Sequence, residues 1–116
     1  MSEITFDFDE FMDRVQNDKE LLFKLLDIFI NDFQDKRQLL GEAIATGNPR
    51  TVEHVAHFLK GSCGNISAKA LRAIFFILEE KGRRDDIEGV EKYLADIDRK
   101  FEDLMVEIGE LRVRLQ

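Results

Sequence analysis

The sequence predicts an all-α fold, and within that class an antiparallel up-down-up-down four-helix bundle with a short N-terminal capping helix and a long C-terminal helix. Three observations carry that expectation. One proline and seven glycines in 116 residues leave few interruptions to a helical ladder, and the chain is rich in Leu, Ile, Phe, Glu, Lys and Asp. Apolar residues recur three and four apart instead of alternating. The length suits one hydrophobic core, and no Gly/Ser linker, internal repeat or low-complexity tract divides residues 1–116 into more than one unit.

Between Asp7 and Asn17, the residues Phe8, Phe11, Met12 and Val15 lie on one helical face, so a short amphipathic helix is expected to cover one end of the bundle. A second helix spans Lys19 to Ala45. Leu22, Leu26, Phe29, Phe33, Leu40 and Ile44 form its stripe, and Leu21, Leu25 and Ile28 widen it near the start. Gly47-Asn48-Pro49 ends it. Pro49 suits the first turn of a third helix, which needs no amide hydrogen there, with Asn48 as its cap. Val52, Val55, Leu59 and Ile66 form the buried side of this helix.

A break at residues 65–67 precedes a fourth helix with Leu71, Ile74, Phe75 and Leu78 inward, closed by a cap at Gly82 and a turn from Arg83 to Asp86. The last helix has the strongest period: Ile87, Val90, Leu94, Ile97, Phe101, Leu104, Ile108, Leu111 and Leu115 step by three and four without a miss. Such a heptad seam suits either a long bundle helix or a dimerising tail.

Charge and cysteine content exclude several function classes. A net charge of −7 with no basic cluster argues against nucleic acid, whose binders displace counterions with Lys and Arg. Cys63 is the sole cysteine, so neither a disulfide framework nor a thiolate zinc cluster can form within the chain, and a reducing cytoplasm is expected. Glu3, Asp7, Asp9 and Glu10 stand where a secretory signal would be basic and then apolar, and no stretch approaches the roughly 20 apolar residues of a membrane span. The chain reads as soluble, with no membrane partner.

The chemistry concentrates on the third helix. At about 100° per residue, Arg50, Glu53, His54, Lys60, Gly61 and Gly64 fall within about 60° of His57, while Val55, Leu59 and Ile66 project oppositely. Core burial therefore turns both histidines outward. An exposed imidazole is an uncharged nucleophile near neutral pH, and its nitrogen can accept a phosphoryl group. Lys60 lies one turn on. Gly61 and Gly64, which cost up to roughly 1 kcal/mol each in a helix, clear space on this face for a docking partner.

The run His57-Phe58-Leu59-Lys60-Gly61-Ser62, followed by Cys63-Gly64-Asn65-Ile66-Ser67-Ala68, resembles the central motif of the histidine-containing phosphotransfer (HPt) domains of two-component phosphorelays. That family pairs a phosphorylated histidine with a lysine three residues later and a glycine four later, then a small-residue stretch. The resemblance extends to the N-terminal Leu/Phe helices and to Leu78-Glu79 followed by Gly82-Arg83. It implies His57 as phosphoacceptor, Lys60 as electrostatic support for the phosphoryl group, and Glu79 as the partner that orients the histidine through its other ring nitrogen. A receiver domain would dock at His54, Phe58, Gly61 and Gly64, together with the C-terminal half of the second helix. Ser67 departs from the family, where many members carry glycine.

The implied function is that of a relay intermediate, which takes a phosphoryl group from a receiver aspartate and passes it to another receiver. The partners are then receiver domains of response regulators or hybrid histidine kinases. Mg2+ would come with the receiver, and the chain would need no cofactor or resident metal of its own. It would be a monomeric phosphocarrier without kinase activity, since no Gly-rich nucleotide loop is present. The alternatives are an unphosphorylated helical adaptor or dimerisation module, a metal site at Glu53, His54 and His57, a carboxylate-pair enzyme, and the phosphoacceptor domain of a chemotaxis-type kinase.

Overall fold

A computed structural model describes residues 4–115, so Glu3 of the acidic N-terminus lies outside the described residues. Five helices and no strand occur among them: α1 Phe8–Arg14, α2 Lys19–Ala45, α3 Pro49–Asn65, α4 Lys69–Arg83 and α5 Lys92–Leu115. Three helices start where a side chain answers an orphan amide. Asp7 accepts from the Glu10 amide at 3.1 Å, Asp18 from Leu21 at 3.0 Å, and Asn48 from Thr51 at 3.1 Å. Ala68 at the start of α4 offers no such acceptor. There the N-terminal segment substitutes, with the Ile4 carbonyl accepting from the Ala70 amide at 2.9 Å.

Residue pairs across the seams fix the helix directions. Asp27 meets Arg112 and Arg37 meets Asp98, so α2 and α5 run oppositely. His57 meets Glu79 and Glu53 meets Arg83, so α3 and α4 do too. Lys36 lies over Phe58, while Leu25, Ile28 and Phe29 border Ser62, Asn65 and Ile66, so α2 and α3 run oppositely as well. The bundle is therefore up-down-up-down, and its 44 Å long axis matches α2, whose 27 residues rise about 1.5 Å each. Helix α1 covers the end where α3 stops and α4 begins, held there by the Asp7 amide donating to the Ser67 carbonyl at 2.9 Å.

The core is the predicted stripes joined together. Phe33 of α2 stacks on Phe101 of α5 with centroids 4.1 Å apart and meets Phe75 of α4 edge-on at 6.1 Å, tying three helices through one ring. Leu22, Leu26, Leu40, Leu59, Leu78 and Leu104 are fully buried around this centre. No helix among the described residues is long and apolar enough to cross a membrane.

Four local expectations need correction. Leu21 and Ile28 do not widen the buried stripe of α2. Both are exposed: they lie at the edge of the stripe, and Ile28 only borders a surface groove with Ser62 and Asn65. The last helix starts at Lys92, not Ile87: Gly89, at φ +76°, breaks the helix, while Val90 stays buried from within a turn. Gly64 is half-buried instead of open, with Arg72 lying over it. Gly82 does not cap α4. It lies inside the helix and is buried, and the left-handed residue past the end is Asp85, at φ +56°.

Gly82 serves packing instead. A Cβ there would stand 2.7 Å from the Glu53 amide nitrogen and 2.9 Å from the Pro49 carbonyl oxygen, so only glycine lets α4 approach the first turn of α3 this closely.

Candidate functional site

Burial of Val52, Val55, Ala56, Leu59 and Cys63 fixes the rotation of α3 and leaves His54, His57, Phe58 and Gly61 exposed. The His57 side chain keeps 69% of its surface open, yet one ring nitrogen is engaged. Its Nδ1 lies 2.8 Å from Oε2 of Glu79, which reaches across from α4 and is itself only 6% exposed. No protein group among the described residues bonds Nε2.

Glu79 is the hub of this seam. Its Oε1 lies 2.6 Å from Lys60 Nζ, and its Oε2 also takes a hydrogen bond from Arg83 Nη2 at 3.1 Å. Burial alone would push this carboxyl up, but the hydrogen bonds from Lys60 and His57, with their charges, outweigh it and hold Glu79 below the usual carboxylate range. An ionised carboxylate only accepts. His57 Nδ1 must therefore carry the proton, and in the neutral ring the lone pair sits on the solvent-facing Nε2.

Sequence reasoning gave Arg83 no role, though its i,i+4 spacing from Glu79 was visible. It spans two carboxylates, Glu79 and Glu53, with Nε 3.5 Å from Glu53 Oε2, and also pairs with Glu80. Glu53 receives Arg50 at 2.8 Å as well, so this member of the considered metal set is already held by two guanidinium groups. Lys60 is bound to Glu79 in this state, with its Nζ 5.6 Å from the centroid of the exposed Phe76 ring. Phe58, on the other flank of His57, lies 4.6 Å below Lys36 Nζ. His54 is exposed one turn before His57 and has no side-chain partner among the described residues. The space above Gly61 is empty to 4 Å.

Further along, the C-terminal end of α3 faces α1 and the start of α4. A cavity of about 490 Å3 opens there, lined by Glu10, Arg14, Gly64, Ser67, Lys69 and Arg72. Arg14 closes the C-terminal end of α3 by donating to the Gly64 and Asn65 carbonyls. Ser67 has a left-handed backbone, φ +63°, which explains why glycine suits this position. Its hydroxyl donates to Glu10 Oε1 at 2.7 Å, an anchor glycine could not provide. Cys63 is buried between the helices, and burial pushes its thiol well up, as suits a packing residue.

Comparison with known proteins shows the family and the fold. The Hpt domain family matches residues 24–110. The phosphorelay intermediate protein rdeA of Dictyostelium discoideum is 28% identical over 100 residues, which are 85% of this chain and 39% of that protein. The chain thus spans well under half the length of that relative. The crystal structure of histidine-containing phosphotransfer protein B (HptB) from Pseudomonas aeruginosa PAO1 superposes with a TM-score of 0.85 at 26% identity, covering 97% of this chain and 98% of that one.

Proposed function

Since this chain belongs to the Hpt domain family, we propose that it is a phosphorelay intermediate in which His57 accepts a phosphoryl group from the aspartyl phosphate of a receiver domain and returns it to the aspartate of another. The observation that carries this reading is the Nδ1–Glu79 bond, which leaves Nε2 as the exposed lone pair.

In the forward step the Nε2 lone pair attacks phosphorus, a P–N bond forms, and the P–O bond to the receiver's carboxylate breaks. The carboxylate leaves with its electron pair. The phosphorylated ring, still protonated at Nδ1, carries positive charge, and Glu79 at 2.8 Å stabilises it. Lys60 sits one turn from His57 with its ammonium already in the site, where it can turn from Glu79 toward the phosphoryl oxygens. Arg83 stays on Glu79, so the buried carboxylate keeps a second cation beside the charged ring. The reverse step has a second aspartate attack the same phosphorus with loss of the P–N bond.

Phosphoryl transfer needs mainly positioning and charge stabilisation, and here the chain supplies a fixed nucleophile while the receiver brings Mg2+ and its own acids. The chain is then a carrier without kinase activity of its own. The docking face runs over His54, Phe58 and Gly61, and continues onto the C-terminal half of α2 at the exposed Leu39. The test is incubation with a phosphorylated receiver domain and Mg2+. Acid-labile, alkali-stable label is expected on the wild type and on His54→Gln but not on His57→Gln; label persisting on His57→Gln would sink the assignment.

A further inference from the structure

We infer that Gly82 is a positioning residue for phosphoryl transfer: by letting α4 touch the backbone of α3, it sets Glu79 at bonding distance from His57. This deepens the proposed role of the same site, but its first test is independent of that role.

Glu79 and Gly82 lie three residues apart on α4, one above the other on the side facing α3. His57 and Glu53 stand in the matching positions on α3, four residues apart. The two rungs are therefore mechanically linked. At the lower rung a Cβ on Gly82 would meet Glu53 N at 2.7 Å, Glu53 Cα at 2.9 Å and Pro49 O at 2.9 Å. All three are backbone atoms, and the amide and carbonyl are those of the first helical turn, so no side chain can swing aside.

The helices would have to part by roughly 0.7 Å to restore the 3.4 Å of ordinary contact. At the upper rung, the Nδ1–Oε2 separation of 2.8 Å would then approach the limit of a hydrogen bond. Glu79 has little slack to follow. It is buried, and Arg83 of its own helix holds the same Oε2 at 3.1 Å.

The consequence is a proton on the wrong nitrogen. Without the carboxylate acceptor nothing holds the proton at Nδ1, and a ring protonated at Nε2 cannot attack phosphorus from there. The experiment is a long-range 1H–15N correlation of the imidazoles in wild type, Gly82→Ala and Gly109→Ala. Gly109 is an α5 glycine with open space around it, and its variant controls for adding a methyl to a helix.

Wild type and Gly109→Ala should show His57 as the Nδ1–H tautomer. Gly82→Ala should shift it toward Nε2–H with His54 unchanged, and labelling of His57 by phosphoramidate should slow about 10–100-fold. A Gly82→Ala protein that keeps the Nδ1–H tautomer overturns the inference, whatever its labelling rate.

If Gly82→Ala does not fold, Glu79→Asp withdraws the carboxylate by one methylene with Gly82 intact. Loss of the Nδ1–H tautomer there supports the positioning argument, and its retention overturns it. Failure of the phosphorelay reading would look different: the tautomers would behave as described while neither phosphoramidate nor a receiver labelled His57.

Discussion

Where His57 stands, Gly82 brings α3 and α4 into backbone contact, and His57, Lys60 and Arg83 close the seam around Glu79; ten residues away on α4, the flexible Arg72 side chain faces α3 beside a cavity of about 490 Å3. Each end has a glycine facing the other helix, and the two glycines do opposite things. Gly82 is required by contact, since any Cβ meets main chain. Gly64 faces only the Arg72 side chain, 3.4 Å from where its Cβ would be, which can move. On the proposed reading the histidine belongs at the end in backbone contact, because its proton must sit on one chosen nitrogen.

The largest expected effect tests this difference directly. Gly82→Ala should lose about 1–3 kcal/mol of stability through overpacking, whereas Gly64→Ala, which gains helix propensity without meeting backbone, should be neutral or gain up to about 1 kcal/mol. Urea denaturation of both proteins checks it. Equal changes of the same sign would mean that propensity, not contact, governs both positions, and the contrast between the two ends would collapse.

The sequence made much of the scaffold legible, for identifiable reasons. The bounds of α2 and the Asn48 cap before Pro49 could be read because periodicity and capping chemistry agree there. The outward aim of His57 followed from the apolar residues opposite it. Gly82 could not be read the same way. A glycine near a helix end suits a left-handed cap and a close helix contact equally well, and only the partner helix decides. Ile87 and Val90 misled for a related reason: apolar spacing reports which side chains are buried, and a turn broken at Gly89 can bury Val90 as well as a helix can. Arg83 was overlooked because its role depends on two carboxylates from different helices.

A smaller effect is expected at the open end, where Ser67 stands in place of the family's frequent glycine. Ser67→Ala keeps a Cβ on the left-handed backbone and loses the bond to Glu10, and should cost about 1 kcal/mol or somewhat more. Ser67→Gly loses the same bond but removes the left-handed strain, commonly worth about 0.4–1 kcal/mol, so its denaturation midpoint should fall between those of Ser67→Ala and wild type. A glycine variant less stable than the alanine variant would show that backbone strain is not what the hydroxyl offsets.

The finest comparison is between two carboxylates, Glu79 at the closed end and Glu10 at the open end, each held below the usual range around 4.5. For Glu10 the leading cause is the Ser67 hydrogen bond, followed by Lys69; for Glu79, burial opposes ionisation, and Lys60 and His57 overcome it. Because both folded values lie below the unfolded one, each carboxylate's contribution to stability is complete above about pH 4.5 and is lost as pH falls through the lower folded value. Salt should separate them. At 1 M NaCl the screening length is about 3 Å, so the attraction of the half-buried Lys69 weakens and the Glu10 midpoint should move part of the way back up, its hydrogen bond to a neutral hydroxyl persisting. Glu79, at 6% exposure, should move less. Carboxyl-carbon NMR titrations with and without salt would measure both midpoints. Equal salt shifts at the two carboxylates would mean that burial does not shield the pairs around Glu79.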